Sequence, residues 1–341
     1  MYAIISTSKK RIIITINIII IIILFLLVEI IAYKNIFYDN KILPNYKKFN
    51  ELKDEFLVDN HLYVNYQKPK KGDPIYFEDE GRSFVGKNYN KSAILLLGDS
   101  YTYGLGLIKN ETFSSQLSEY TKRPVFNWAF YTEGIEYSFL ELKNEKNIKK
   151  ILHNSSEIGK PIEYVIYTYC YNQPSRIISK NRQYRFYHLR KYGVIGNSNF
   201  SIFDRLYMVQ LFKNKLFLNS LKKDDYKENM QNLVFTEIKA IQKEVKKHFP
   251  SAQFIVLIYS DDVSVVKNKN LQVNDIDEYI LNSDKWDILK NEGIEIIRTE
   301  ELLGRKMTEK DIIENERTVT IHPNANAWRK IVPLLSQKLN L

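Results

Sequence analysis

From Ile12 to Val28 the chain reads IIITINIIIIIILFLLV, with only Thr15 and Asn17 polar, and Ile30, Ile31 and Ala32 extend the run past Glu29. A bilayer core needs about 20 apolar residues at helical rise, and this segment supplies them. A helix packed on a soluble core keeps a polar face, whereas this one is apolar on every side. A cleaved signal peptide has a shorter apolar region followed by small residues at the cut, and no such A-x-A pattern follows here. The run therefore reads as an uncleaved anchor over residues 12–33, behind a cytoplasmic segment 1–11. Lys9, Lys10 and Arg11 directly precede it, which places the rest of the chain on the extracytoplasmic side. Lys34 and Lys41 on the far flank work against that orientation.

The remainder of the 341 residues is long enough for one large domain or two modest ones. Apolar residues make up 44% and aromatics 13%, which excludes wholesale disorder. Only 12 Gly and 9 Pro are present, which excludes collagen-like and low-complexity chains. The single Cys excludes an internal disulfide framework and any Cys-rich metal site. The formal charge of +10 is spread through a chain rich in Lys, Asn, Ile and Tyr, and reads as composition before it reads as a binding surface. There is no P-loop, no Gly-x-Gly-x-x-Gly and no His pair at zinc spacing, so no metal and no cofactor is expected.

Residues 34–90 form a polar connector punctuated by Lys-Pro-Lys-Lys-Gly-Asp-Pro at 68–74 and Asp-Glu-Gly-Arg at 79–82, which favours loops and short strands. From residue 91 to 341 strands and helices alternate. Ala93–Leu97 is a fully apolar run ended by Gly98, as expected of a strand buried on both faces. Further strands are expected at Val125–Asn127, Tyr164–Tyr171, Ala252–Tyr259 and Ile294–Arg298. Helices are expected at Glu111–Thr121, Ile135–Ile151, Glu228–Phe249 and Asn324–Leu339, the last kinked or effectively begun at Pro333. The expected fold is a doubly wound, flavodoxin-like parallel sheet in a three-layer α/β/α arrangement, preceded by one transmembrane helix. Sites in such sheets lie at the carboxyl ends of the strands.

Three motifs fall at those ends. Gly98-Asp99-Ser100-Tyr101-Thr102-Tyr103-Gly104 directly follows the first core strand. Gly98 allows a sharp turn, Ser100 then sits at the top of the sheet, and a helix start behind it favours developing negative charge. Asn172 ends the third strand, where its amide can donate into the same crevice. His322, in Ile321-His322-Pro323-Asn324 before the last helix, stands where a base for Ser100 is needed.

Together these blocks, in this order, resemble the SGNH/GDSL hydrolase family over residues 92–341, and GDSYTYGLGL is similar to that family's first block. The resemblance implies that Ser100 is the nucleophile and His322 its base. It also implies an oxyanion hole containing the Ser100 N–H and the Asn172 amide. Two positions depart from the pattern. After Asn127, Thr132 stands where the family has a glycine whose N–H completes the hole. Val319 stands where the family has the Asp that orients the base. Asp311, Glu314, Glu316, or the pair Asp261 and Asp262, are the acids available to replace it, and a Ser–His dyad steered by a backbone carbonyl is the other solution.

The apolar anchor and the resemblance together lead to the expectation of a membrane-anchored serine esterase removing acyl groups, with acetyl the one expected, from an envelope polysaccharide or lipid. The rival expectations are an O-acyltransferase on the same site, and an inactive domain that binds glycan or an envelope partner. Arg176, Lys180, Arg182, Arg185, Arg190 and Lys191 lie in a stretch free of acids between Asn172 and Phe203. It reads either as a lid for an anionic glycan or headgroup, or as a solvated insertion. The external location argues against nucleic acid. Cys170 reads as a buried small hydrophobe.

Overall fold

The computed structural model describes residues 2–37, 84–86, 88–104, 106–129, 135–170, 173, 225–259, 275–313 and 322–341. These belong to two compact units: helix α1 (Tyr2–Phe37) to one, and every other described residue to the second.

Helix α1 contains an 18-residue window, Thr15–Ala32, of mean hydropathy 2.9, of which 6% is buried. It is long and apolar enough to cross a membrane by length and composition. The exposed surface of Ile16 to Val28 is almost entirely hydrocarbon, which water solvates poorly.

The second unit is built on a six-stranded sheet. Its strands are β1 (Phe84–Val85), β2 (Ala93–Leu97), β3 (Val125–Asn127), β4 (Ile162–Tyr169), β5 (Gln253–Ile258) and β6 (Glu295–Arg298). The strand order is β1-β3-β2-β4-β5-β6. All pairings are parallel except that of β1, which joins β3 antiparallel at the edge. Counted from β2, the five parallel strands run 2-1-3-4-5, the flavodoxin-like order expected from the sequence. The chain runs outward from β2 to β3 and then crosses back to β4, so the topological switch point, where sheets of this kind open a crevice at the carboxyl ends, lies between β2 and β4.

The side chains of β2 are all buried because both faces of the sheet are covered. On one face Ile94, Leu96, Ile166, Ile255, Leu257 and Ile297 pack with residues of α3 (Phe113–Thr121) and the closing helix α10 (Ala325–Leu339). On the other lie α4 (Ile135–Lys143), the long α6 (Tyr226–His248) and α7 (Asp275–Leu281), with α5 (Glu145–Glu157) against α4. There Trp286, from α8 (Lys285–Asn291), meets Tyr169 and Phe235 edge-on at 5.0 and 4.7 Å. A short α9 (Thr299–Leu303) follows β6 and leads back to α10.

Some expectations are corrected. The single helix over Ile135–Ile151 is two, because Asn144 interrupts it and its side chain accepts the backbone N–H groups of Lys146 and Asn147 at the start of α5. Pro333 lies inside α10, whose start is set by Asn324, whose Oδ1 accepts the Ala327 N–H at 2.9 Å. Within the connector, β1 is held by Phe84 stacked on Phe126 at 4.3 Å. Tyr171 lies outside the described residues.

Candidate active site

The turn after β2 is made by Gly98 at φ 144°, a conformation that disfavours any residue with a Cβ. A Cβ there would also run into the hydroxyls of Thr168 and Thr102, which touch each other behind the turn. Asp99 is the N-cap of α2 (Ser100–Tyr103), and its Oδ1 accepts the Tyr101 N–H at 3.1 Å. The Cys170 thiol, at the end of β4, donates to the other Asp99 oxygen. Cys170 is buried as expected, and it also ties the nucleophile turn to the neighbouring strand. Gly104, at φ 90°, closes the helix after one turn.

This turn delivers Ser100 to the carboxyl end of β2. Asn127, ending β3, steadies the turn by donating to the Thr102 carbonyl at 2.9 Å. The residue thus acts as a tie between strands, and its Oδ1 accepts the Ala129 N–H at 3.2 Å. No hydrogen-bond acceptor among the described residues takes the Ser100 N–H, as is usual at the first turn of a helix.

His322 Nε2 lies 2.7 Å from Ser100 Oγ, across 222 positions of sequence. Both residues are buried, 3% and 8% exposed, so their hydrogen bond is largely shielded from competing water. Tyr101 packs its ring edge-on to the imidazole at 5.0 Å and meets Tyr259 at the same distance. Tyr259 in turn meets Trp328, which stacks on Phe113 at 4.3 Å. The imidazole therefore stands at the end of an aromatic row rooted in α3 and α10.

The backbone around His322 is paired with a second segment. Ile312 and Pro323 form an antiparallel bridge, Ile313 N–H donates to the His322 carbonyl at 2.8 Å, and Asn324 N–H donates to the Asp311 carbonyl at 2.8 Å. Asp311, one of the acids considered for orienting the base, is engaged otherwise. Its carboxylate takes two hydrogen bonds from Arg305, at 2.6 and 3.1 Å, and is bonded by the Thr308 N–H, the Thr308 hydroxyl and Lys330 Nζ. Burial works to raise its pKa, but these donors outweigh burial and hold it far below the usual carboxylate range. In β4, burial together with the nearby Asp99 carboxylate pushes the Tyr167 phenol well above its ordinary pKa, so it remains a neutral donor. That hydroxyl bonds Gln173 Oε1.

The structure thus joins Ser100 and His322. Thr132, Asn172, Asp261, Asp262, Glu314, Glu316, Val319 and the basic stretch 176–191 lie outside the described residues. Among the described residues no group of three or more His, Cys, Asp or Glu is arranged to hold a metal. Sequence reasoning missed the Arg305–Asp311–Lys330 arrangement. Its only sequence signal was an Asp within a short Thr-x-x-Asp capping pattern.

No protein-family model and no curated protein matches the sequence. Among solved structures, the chain is similar to a lipolytic protein of the G-D-S-L family from Desulfitobacterium hafniense, with 9% identity, 72% of this chain and 99% of that one covered, and a TM-score of 0.39. It is similar to a carbohydrate esterase family 2 enzyme with a carbohydrate-binding domain from Corynascus thermopiles (Myceliophthora fergusii), at 11% identity, 74% and 66% coverage and a TM-score of 0.40. It is also similar to a salicylyl-acyltransferase from a tetracycline biosynthetic pathway, at 11% identity, 74% and 55% coverage and a TM-score of 0.39. The structural neighbours of this chain are GDSL/SGNH hydrolases and related esterases and acyltransferases.

Proposed function

We propose that the chain is a serine esterase working through an acyl-enzyme on Ser100. The observation that carries this reading is the 2.7 Å contact between Ser100 Oγ and His322 Nε2 at the carboxyl end of β2. A serine hydroxyl is a weak nucleophile until a base takes its proton, and an imidazole nitrogen at hydrogen-bond distance is such a base. In this reading Ser100 Oγ attacks the ester carbonyl while His322 Nε2 accepts the proton. The imidazolium then returns it to the leaving alcohol. Water attacks the acyl-enzyme with His322 as base, which releases the acid and restores Ser100.

The Ser100 N–H, at the start of α2, is a donor for the developing oxyanion, with the Asn172 amide and the Thr132 N–H as further members. Asp262 or Asp261 is the proposed orienting acid. The substrate class is an acylated polysaccharide or lipid of the cell envelope, with α1 as the anchor that keeps the site near it. Support for this location comes from the apolar window Thr15–Ala32 and the cations before it.

A serine-directed fluorophosphonate tests the reading on the full chain in isolated membranes. The parent is expected to label at Ser100 and to stay with the membrane fraction, and Ser100→Ala to stay unlabelled. A folded parent that does not label overturns the esterase reading in favour of a binding domain. Sugar or glycerol acceptors added during turnover of a small acetyl ester separate transfer from hydrolysis, because both share the acyl-enzyme.

A further inference from the structure

The imidazole of His322 owes its place to a segment that carries no catalytic group. Over residues 322–324, the His322 carbonyl, the Pro323 bridge and the Asn324 N–H are all matched to residues 311–313. The Asn324 side chain repeats the connection, since its Nδ2 donates to the carbonyls of Lys310 and Ile312 at 2.9 and 3.0 Å. Its Oδ1 meanwhile caps α10. The position of residues 311–313 therefore becomes the position of the base.

Beside the buried Met307 and Ile312, that segment is tied through one buried carboxylate. Asp311 is fully buried, while Arg305 and Lys330 remain about half exposed and reach it from separate elements, the turn after α9 and the second turn of α10. Thr308 closes the same carboxylate from the backbone side. A two-pronged guanidinium–carboxylate contact fixes orientation as well as distance. The donors thus hold the 308–313 turn against the helix that follows His322.

We infer that Asp311, held by Arg305 and Lys330, is a positioning residue for the proposed reaction: through the paired segments 311–313 and 322–324 it sets the distance between His322 Nε2 and Ser100 Oγ. It acts on the base through the backbone and makes no contact with the reacting atoms. The role rests on the esterase reading. It differs from that of an acid orienting the imidazole by direct contact, because the carboxylate is already saturated by Arg305, Thr308 and Lys330.

The test compares the full-length parent with Asp311→Asn, Arg305→Lys and Lys330→Met, in detergent, on a small acetyl ester and with the fluorophosphonate. Misplacing a catalytic group by about 1 Å costs on the order of 100-fold. Asp311→Asn is expected to lower kcat and the labelling rate by about 10- to 100-fold with KM within about two-fold, the pattern of a lost transition-state alignment. Arg305→Lys keeps the charge and loses the fork, and is expected to fall between parent and Asp311→Asn. Should Asp311→Asn fail to fold, Arg305→Lys and Lys330→Met still decide, because they change only half-exposed side chains. Parent-like kcat in the folded variants overturns the inference, as does a loss that merely follows the unfolded fraction. A parent that neither labels nor turns over removes the esterase reading and the positioning role with it. A parent that labels beside unaffected variants removes the positioning role alone.

Discussion

The two halves of the proposed dyad are held in place by different means. Ser100 sits seven residues beyond the start of β2, on a turn whose strand is buried in the sheet and whose glycine admits little else. Its placement follows from the buried strand and the glycine turn, with the Cys170 and Asn127 hydrogen bonds as ties. His322 reaches the same point just before α10, steadied by a short backbone pairing, a buried ion-pair group and an aromatic contact. Rigid, densely packed strands set one partner, and polar contacts between distant residues set the other. The Ser side should therefore respond to steric change and the His side to changes in charge.

The largest expected effect removes the meeting point itself. His322→Gln keeps a polar side chain but has no group to take the Ser100 proton, so the labelling rate should fall by about 10⁴-fold, the upper range for a general base. Circular dichroism of the same sample should stay that of the parent. A labelling rate within ten-fold of the parent would show that another group activates Ser100.

Next comes the steric side. Gly98→Ala places a methyl against Thr168 and Thr102 at a φ of 144°, so the turn must move. A strained backbone of this kind costs about 1–3 kcal/mol, and the shifted serine should label about 10- to 100-fold more slowly. Unchanged labelling and melting would break the contrast, because the Ser side would then be as forgiving as a loop.

The smallest effect concerns charge and pH. The Asp311 pKa is depressed in the folded chain, so its stabilisation is fully present above the unfolded value of about 3.9 and is lost as pH falls toward the folded one. Between neutral pH and about pH 5 the contribution is constant, and below that the parent's melting temperature should decline. In Asp311→Asn this part of the decline should be shallower. Parallel melting curves for the two proteins between pH 6 and pH 3 would show that the carboxylate contributes little.

Much of the site could be read in the sequence because its signals are local. The run Ala93–Leu97 ended by Gly98 specifies a buried strand and its turn, and Ser100 follows within three residues. Ile321-His322-Pro323-Asn324 stands directly before the last helix expected from the sequence, and in the structure Asn324 caps that helix. The break between α4 and α5 was hidden because apolar residues keep helical spacing across it, and the decisive property of Asn144 is a side-chain bond to the next turn. The short β1 was hidden because two residues carry no alternation. The partners of Asp311 were hidden for a different reason. An ion pair between positions 305, 311 and 330 leaves no periodic trace, and any Lys or Arg in the neighbourhood would have looked equally suitable.

The aromatic row behind His322 has an optical consequence. The chain has three tryptophans. Trp328 belongs to the α3 and α10 layer and connects through Tyr259 and Tyr101 to the imidazole. Trp286 lies in the opposite layer against Tyr169 and Phe235. Trp128 follows the end of β3, where its indole N–H bonds the buried Glu141 at 2.7 Å. Trp328 thus stands in one helical layer, and Trp128 and Trp286 at different points of the other. Emission from single-tryptophan versions would report the loosening of each layer independently, and the Trp328 signal would register movement of the base before the sheet itself gives way.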